Sequence, residues 1–294
     1  MESLKDQLLR LEPNKVAWVN KNSIYLYDVA QLHKLKRMAN NHNYYSPVHY
    51  LTTYKKVGPM LDELSDIFHE MFVETNSSGK LAFDITEVGG IGASKSNLME
   101  CGSIAHFVER YCRPYFKVTK DELEKNLAHD EIRIISREKT NDNIRIFGWK
   151  DCLYLSNSGG SHHFATALYI ARELNIPVPL KAKFSFITID QDAVRRFNAA
   201  YKAFLIPNHD FAYIGSAVNS LNVCAVAYQL PQYASADATL LIYRKGTVES
   251  KIENHLTALY TDFNNELLKF YYVQQENQKL RKFLKVQSGV GEHI

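Results

Sequence analysis

Two adjacent histidines follow a pair of glycines near the middle of the chain, and these residue types can bind phosphate and move protons. The stretch reads Ser158-Gly159-Gly160-Ser161-His162-His163. An apolar run over 152–155 predicts a strand before it, and apolar residues at helical spacing predict a helix over 161–174 after it. A helix start presents free backbone N–H groups and the positive end of the helix dipole, which favour an anion. We therefore expect a phosphate site at this loop.

The side chains of the loop suggest a role for each residue. His162 and His163 are the candidate catalytic groups, since one can contact phosphate while the other serves as general acid or base. Ser161 can offer its hydroxyl to phosphate, or act as a nucleophile if a base lies beside it. The simpler interpretation is that the glycines only turn the chain while a serine caps the helix. The candidate cofactor-binding residues of the loop are Ser158, Gly159 and Gly160.

An earlier Gly-rich stretch, 88–96, also follows a predicted strand. It resembles a Walker A loop, with Gly89, Lys95 and Ser96 in place, but Ser94 stands where the second glycine is expected. We favour a different role, in which Lys95 reaches into the phosphate site from a neighbouring loop and binds the cofactor there.

Three residues further along the chain complete the candidate set. Asp190 and Asp192 follow a predicted strand and have the oxygen ligands that Mg²⁺ prefers, although we favour the alternative that they cap the next helix. Arg195 on that helix is a candidate cofactor-binding cation. A zinc site of His162, His163 and His209 has no support from ligand spacing.

The run Gly159-Gly160-Ser161-His162-His163-Phe164 resembles the Gly-Gly-Cys-His-Arg-Tyr loop of sulfiredoxin, and more broadly the box of the ParB/sulfiredoxin superfamily. In that superfamily the box lies between a strand and a helix and holds nucleotide phosphates. The resemblance covers residues 130–190 and implies a nucleotide, ATP, ADP or CTP, with Mg²⁺ as companion ion. Ser161 replaces the sulfiredoxin cysteine, so thiol-based reduction is not expected. His163 replaces an arginine, so phosphate affinity should depend on pH.

The bulk composition is that of a folded, globular protein. The chain has 294 residues, of which 46% are hydrophobic, and a net charge of +3, too small to indicate nucleic-acid binding by itself. The four cysteines show no CxxC spacing. The N-terminus has no apolar signal core, and no apolar run approaches the length of a membrane span. We expect a cytoplasmic protein with no membrane segment.

The hydrophobic pattern predicts an α/β (α+β) fold with a small mixed sheet, and the resemblance implies a ParB/sulfiredoxin-like strand–loop–helix core. We predict a mostly helical N-terminal lobe over 1–78, the α/β core over 79–248, and one long helix over 249–287 whose heptad-like face could form a homodimer. Predicted strands cover 80–87, 131–135, 144–147, 152–155, 180–189, 210–215, 222–228 and 239–243. Further helices are predicted over 60–72, 97–111 and 192–205.

Three functions from different classes fit this sequence. The leading hypothesis is a nucleotide-binding enzyme that transfers or hydrolyses a phosphoryl group at the loop from Gly159 to His163. The second is a nuclease or another effector that acts on nucleic acid. The third is a non-catalytic module in which nucleotide binding switches the oligomeric state through the C-terminal helix.

Overall fold

The fold was obtained as a computed structural model. It describes residues 11–17, 23–30, 32, 35–36, 48–50, 54–220, 223–229 and 237–287. Much of the predicted helical lobe over 1–78 lies outside these ranges.

Helices and strands are mixed along the described chain, which confirms the predicted α/β class. The strands are β1 Val48–Tyr50, β2 Phe72–Asp84, β3 Val88–Ile91, β4 Asn143–Phe147, β5 Leu153–Ser156, β6 Pro179–Ile189, β7 Tyr201–Pro207, β8 Ala225–Gln229, β9 Ala238–Arg244 and β10 Thr261–Asp262. The α-helices are α1 Leu26–Val29, α2 Tyr54–Met71, α3 Ile104–Tyr111, α4 Lys120–Leu127, α5 Arg133–Ser136, α6 Ser161–Glu173, α7 Gln191–Ala200, α8 Asn208–Ser220, α9 Ser250–Leu259, α10 Phe263–Glu276 and α11 Gln278–Gln287. Short 3₁₀ turns cover Ile85–Glu87, Leu98–Glu100 and Arg113–Tyr115.

The chain divides into two compact units, each assembled from separate segments. The first unit takes Met1–Val19, Gln31–Val73 and Ile189–Tyr272, and the second takes Asn20–Ala30, Glu74–Thr188 and Val273–Ile294. Each of the three predicted segments, 1–78, 79–248 and 249–287, contributes residues to both units.

The sheet of the first unit is antiparallel, in the order β1-β8-β9-β7-β10. Every residue of β7 except Lys202 is buried, and β9 is buried as far as Tyr243. This continuous burial explains why the predicted helix over 192–205 was too long, because the apolar run after Ala200 forms β7, an inner strand of the sheet between β9 and β10. The predicted strand over 210–215 was also wrong, since these residues belong to α8.

The sheet of the second unit is mixed, in the order β2-β6-β4-β5-β3. β3 runs parallel to β5, and β4 runs parallel to β6 but antiparallel to β5. Helix α6 packs its apolar residues into the core of this unit, where Phe164, Leu168 and Ile170 are fully buried. The predicted strand over 131–135 was wrong, because residues 131 and 132 are irregular and Arg133–Ser136 forms the short helix α5.

The predicted single helix over 249–287 is broken at two points. Strand β10 interrupts it by pairing with Phe204 and Leu205 of β7. At the second break Asn277 is buried, and its side-chain amide donates to the carbonyl oxygens of Gly148 and Lys150 at 3.0 and 2.8 Å. Asn277 therefore anchors the chain within its own unit, and the continuous helix proposed for a homodimer seam does not form.

A membrane-spanning helix was not expected, and the described residues contain no helix with the length and apolar character needed to cross a bilayer.

Candidate functional site

The Gly-rich loop lies where two parallel strands end side by side. Residues 92–96 follow β3 and residues 157–160 follow β5, so both loops leave the same edge of the sheet. Asn157 joins them, because its Oδ1 accepts from the amides of Gly92 and Ala93, and its Nδ2 donates to the carbonyls of Ala93 and Gly159. The segment that carries Lys95 is thus fixed against the loop.

The stretch 88–96 does not form a Walker A loop. Gly89 lies within β3, where a Cβ atom would come within 2.7 Å of the Cys152 Cβ atom. No α-helix opens after Ser96, since Leu98–Glu100 is a 3₁₀ turn and α3 begins only at Ile104. This glycine therefore serves the close packing of two strands.

Helix α6 begins without a side-chain cap. Its N-cap is Gly160, in the left-handed region with φ of 68°, and not Ser158 or Ser161 as the simpler sequence interpretation holds. A glycine N-cap has no side-chain oxygen to accept from the first amides of the helix. The N–H groups at this end are thus left to a ligand or to water.

Ser158 holds an arginine at the loop. Its hydroxyl donates to Asp142 Oδ1 at 2.7 Å, and the Arg133 guanidinium donates to the same hydroxyl. The Nε of Arg133 is buried and has no hydrogen-bond partner among the described residues. Ser158, predicted as a direct cofactor ligand, therefore has its hydroxyl engaged in positioning Arg133.

A polar cavity of about 580 Å³ opens in front of the α6 N-terminus. Lys95 and Arg133 both line it, and neither makes an ion pair within the described part of the chain. The remaining lining residues are Ala93, Ser94, Glu131, Ser158, Gly159, Gly160, Ser161, His162 and His163.

His162 connects the loop to the segment after β3. Its Nε2 shares a hydrogen bond of 2.9 Å with the hydroxyl of Ser96, and its ring packs 5.2 Å from that of Phe107 on α3. Burial lowers the pKa of His162 below its ordinary value, and the nearby Lys95 ammonium lowers it further. The lowered pKa favours the neutral form of this imidazole at pH 7. Ser161 is buried at the helix start, with Oγ 3.5 Å from His162 Nδ1.

His163 faces α4 and the segment that follows it. Its Nδ1 lies 2.9 Å from Asn126 Oδ1, and its ring stacks on His129 with the ring centroids 3.5 Å apart and the planes 14° from parallel. Burial lowers the pKa of His163, and His129 lowers it further. The two catalytic candidates thus have different surroundings, although they are neighbours in sequence.

A second cavity of about 370 Å³ adjoins the first through His162 and His163, which line both. Its wall is largely aromatic, and Tyr115 is 83% exposed. The lining residues are Tyr111, Cys112, Tyr115, Phe116, Glu122, Lys125, Asn126, His129, His162, His163 and Thr166.

A family model matches residues 79–279, more than half of the chain, and its description is a family of unknown function, DUF6685. The chain belongs to the DUF6685 family. The matched region contains both cavities and the whole of α6. No curated protein and no solved structure matches this DUF6685 chain.

Three of the predicted site residues of the DUF6685 chain belong to the first unit, whereas the loop belongs to the second. Asp190 is the N-cap of α7, with Oδ1 accepting from the Ala193 amide at 2.8 Å. Asp192 and Arg195 form an exposed ion pair at 3.2 Å on the same helix. The capping role that the sequence offered as the alternative is therefore filled by Asp190.

The two adjoining cavities together form one cleft. The sequence analysis did not identify several residues that build this cleft: Asn126, His129, Glu131, Arg133, Asp142 and Asn157. The His-x-Glu spacing of His129 and Glu131 was a signal that could have drawn attention to this segment. The others are brought in by tertiary contacts alone.

Proposed function

We propose that the cleft of the second unit binds a phosphorylated ligand, with a nucleotide as the favoured class, and transfers or hydrolyses its phosphoryl group. The observation that carries this proposal is the meeting of Lys95, Arg133 and the uncapped start of α6 in one cavity. Neither cation has an ion-pair partner in the described chain, so both are available to a ligand. Together with the positive end of the helix, they would attract a negatively charged phosphate.

The cavity has a net attraction for anions even though one carboxylate lines it. Lys95 and Arg133 outweigh Glu131, and the positive helix end adds to them. Arg133 is the stronger candidate for a bidentate phosphate contact, because Ser158 already holds its guanidinium at the cavity wall. Mg²⁺ would accompany the ligand through its phosphate oxygens, in the way this ion is commonly held.

The aromatic cavity supports a ligand that has a planar group besides its phosphates. Tyr111, Tyr115 and Phe116 line this cavity, and the exposed ring of Tyr115 is free to accept a base on its face. A nucleotide would then lie across His162 and His163, with phosphates toward α6 and the base toward these rings.

The histidines would supply the chemistry. A neutral His162 can accept a proton from an attacking hydroxyl or water, and the Ser96 hydroxyl already lies at hydrogen-bond distance from its Nε2. Backbone amides and Lys95 would stabilise the charge that develops on the phosphoryl oxygens. The resemblance of the loop to the ParB/sulfiredoxin box supports the same ligand class.

Thermal unfolding against ATP, ADP, CTP and GTP, with and without Mg²⁺, tests the binding. A ligand that binds only the folded state raises the midpoint. We expect one nucleotide to raise it, and we expect Arg133→Met to remove the shift while Arg137→Met, an exposed arginine one turn away, keeps it. No shift with any nucleotide would overturn the proposal.

Release of phosphate from the bound nucleotide then tests the turnover. His162→Gln should abolish turnover but keep part of the binding. Binding without any turnover in the wild type would instead favour the non-catalytic module. Salt-dependent binding of DNA or RNA without a nucleotide shift would favour the effector that acts on nucleic acid.

A further inference from the structure

Three potential metal ligands converge at the border between the two cavities. His129 follows α4, Glu131 lies two residues later, and His163 projects from the first turn of α6. One ligand atom from each of the three lies within 4.8 Å of the other two. That separation is close enough for a single ion to contact all three side chains once the two imidazoles rotate so that their lone pairs converge.

Hydrogen bonding orients His163 for coordination. Asn126 Nδ2 donates to the carbonyl oxygen of Glu122 at 2.8 Å, which leaves Asn126 Oδ1 facing His163. Since an amide oxygen only accepts, Nδ1 of His163 must carry the proton and donate to it. Nε2 of His163 then has the free lone pair. Metal-binding histidines typically have this arrangement, with one ring nitrogen held by an oxygen acceptor and the other on the ion.

The imidazoles of His129 and His163 lie face to face, with their ring centroids 3.5 Å apart. Metals bind the neutral form of histidine. Glu131 is exposed and adds one negative charge beside the two rings.

We propose that His129, Glu131 and His163 bind one divalent transition-metal ion, with zinc as the reference ion, and leave at least one coordination position open to the cleft. Two imidazoles and one carboxylate select such an ion over Mg²⁺ or Ca²⁺, which prefer oxygen ligands. Three protein ligands with an open position are typical of catalytic zinc sites, where the ion polarises a bound oxygen. This inference does not depend on the phosphate proposal, because the three residues alone define the ion site.

The site is tested by two measurements on protein that carries no histidine tag. One is the metal content, and the other is a zinc titration after treatment with a chelator. We expect the wild type to bind one equivalent of zinc. His129→Ala and His163→Ala should lose it, and Glu131→Gln should weaken it. His106→Ala removes an exposed histidine of the same unit and is the matched control that should keep the equivalent. Cobalt absorption in the visible range provides a second readout, because its intensity reports on the coordination of the ion.

Asn126 is a positioning residue in this proposal. Asn126→Ala should lower zinc affinity by on the order of 10-fold or more, and Asn126→Asp should restore it, because a carboxylate also accepts from Nδ1. A purely structural role for Asn126 would not predict this rescue. If His163→Ala does not fold, His129→Ala still decides the matter, since His129 lies in a loop outside the α6 core.

Equal zinc binding by the wild type, His129→Ala and His163→Ala would overturn the proposal, and so would an absence of zinc binding by the wild type. All titrations are performed without phosphate or nucleotide, and the nucleotide experiments are repeated with a chelator present. Failure of one site is therefore distinguishable from failure of the other.

Discussion

A Cβ atom on Gly160 would overlap the carbonyl oxygen of Glu131 and would lie 2.8 Å from the amide nitrogen of Ile132. The start of α6 therefore packs directly against the backbone of the segment that carries His129, Glu131 and Arg133. Gly160 also adopts a left-handed conformation, which costs a residue with a side chain roughly 1–2 kcal/mol. Glycine is therefore favoured at this position by two separate effects, its positive φ and the close approach of the Glu131 backbone.

Gly160→Ala should lower the free energy of unfolding by more than about 2 kcal/mol, because the conformational cost and the backbone overlap add. Urea unfolding measures this directly. Gly159→Ala is the matched control, since its Cβ atom would lie 3.5 Å from Arg133 and meet only ordinary contact. Gly246→Ala isolates the conformational cost, because Gly246 has φ of 79° with nothing within 4 Å of the added atom. Equal losses for Gly160→Ala and Gly159→Ala would contradict this account.

Asn157→Ala should both destabilise the second unit and weaken ligand binding. The substitution removes four hydrogen bonds, three of which join the loop after β5 to the loop after β3, so the segment that carries Lys95 is no longer held at the cavity. We expect a loss of about 1–3 kcal/mol of stability, measured by urea unfolding, and a weaker nucleotide shift. Asn141→Ala, at an exposed position, is the control that should change neither quantity.

Lys95→Gln should weaken phosphate binding by roughly tenfold, about 1.4 kcal/mol, with little effect on folding. Lys95 is exposed and makes no ion pair in the described chain, so its charge is available to a ligand. Titration calorimetry with the nucleotide found by thermal unfolding gives the affinity. Lys181→Gln, on β6 and also exposed, should leave the affinity unchanged. An equal effect from both lysines would indicate only a general dependence on net charge.

The sequence predicted those helices and strands whose hydrophobic pattern is local. Its predictions were wrong where tertiary contacts determine the type of an element or where it ends. Helix α6 was predicted within one residue, because Phe164, Leu168 and Ile170 repeat at helical spacing and are all buried. The long C-terminal helix was wrong although its periodicity continues through both breaks. Pairing of Thr261 with Leu205 ends the helix at the first break, and nothing in the local pattern indicates this pairing. Asn277 does interrupt the apolar pattern, but the sequence does not show that distant carbonyl oxygens bind its side chain.

The same reasoning explains which parts of the candidate site were found. The loop from Gly159 to His163 was visible because its residue types are unusual at a helix start. Asn126 and His129 were not, because only the packing of α4 against α6 brings them to His163. The segment after His129 was also assigned to a strand, which removed any reason to place Glu131 beside the loop.

The stability of the protein should fall as the pH drops below about 6.5, the ordinary histidine value. The pKa of His162 and that of His163 are lower in the folded protein than in the unfolded chain. At a pH between the folded and the unfolded pKa of either histidine, the unfolded chain therefore binds more protons. The free energy of unfolding therefore decreases as the pH falls through this window. Urea unfolding across the window measures the slope, and His163→Gln should reduce it. An unchanged slope in His163→Gln would show that this histidine is not the responsible group.

Anion binding and zinc binding should respond to pH in opposite directions. Protonation of His162 adds a positive charge and a second donor beside Lys95, so sulfate, whose own charge is constant in this range, should bind more tightly at low pH. Protons compete with zinc for His129 and His163, so zinc should bind more weakly at low pH. His162→Gln should flatten the pH dependence for sulfate and leave that for zinc unchanged, because His162 is not one of the proposed ligands. If the two affinities changed in the same direction, one of the two sites would not use these histidines.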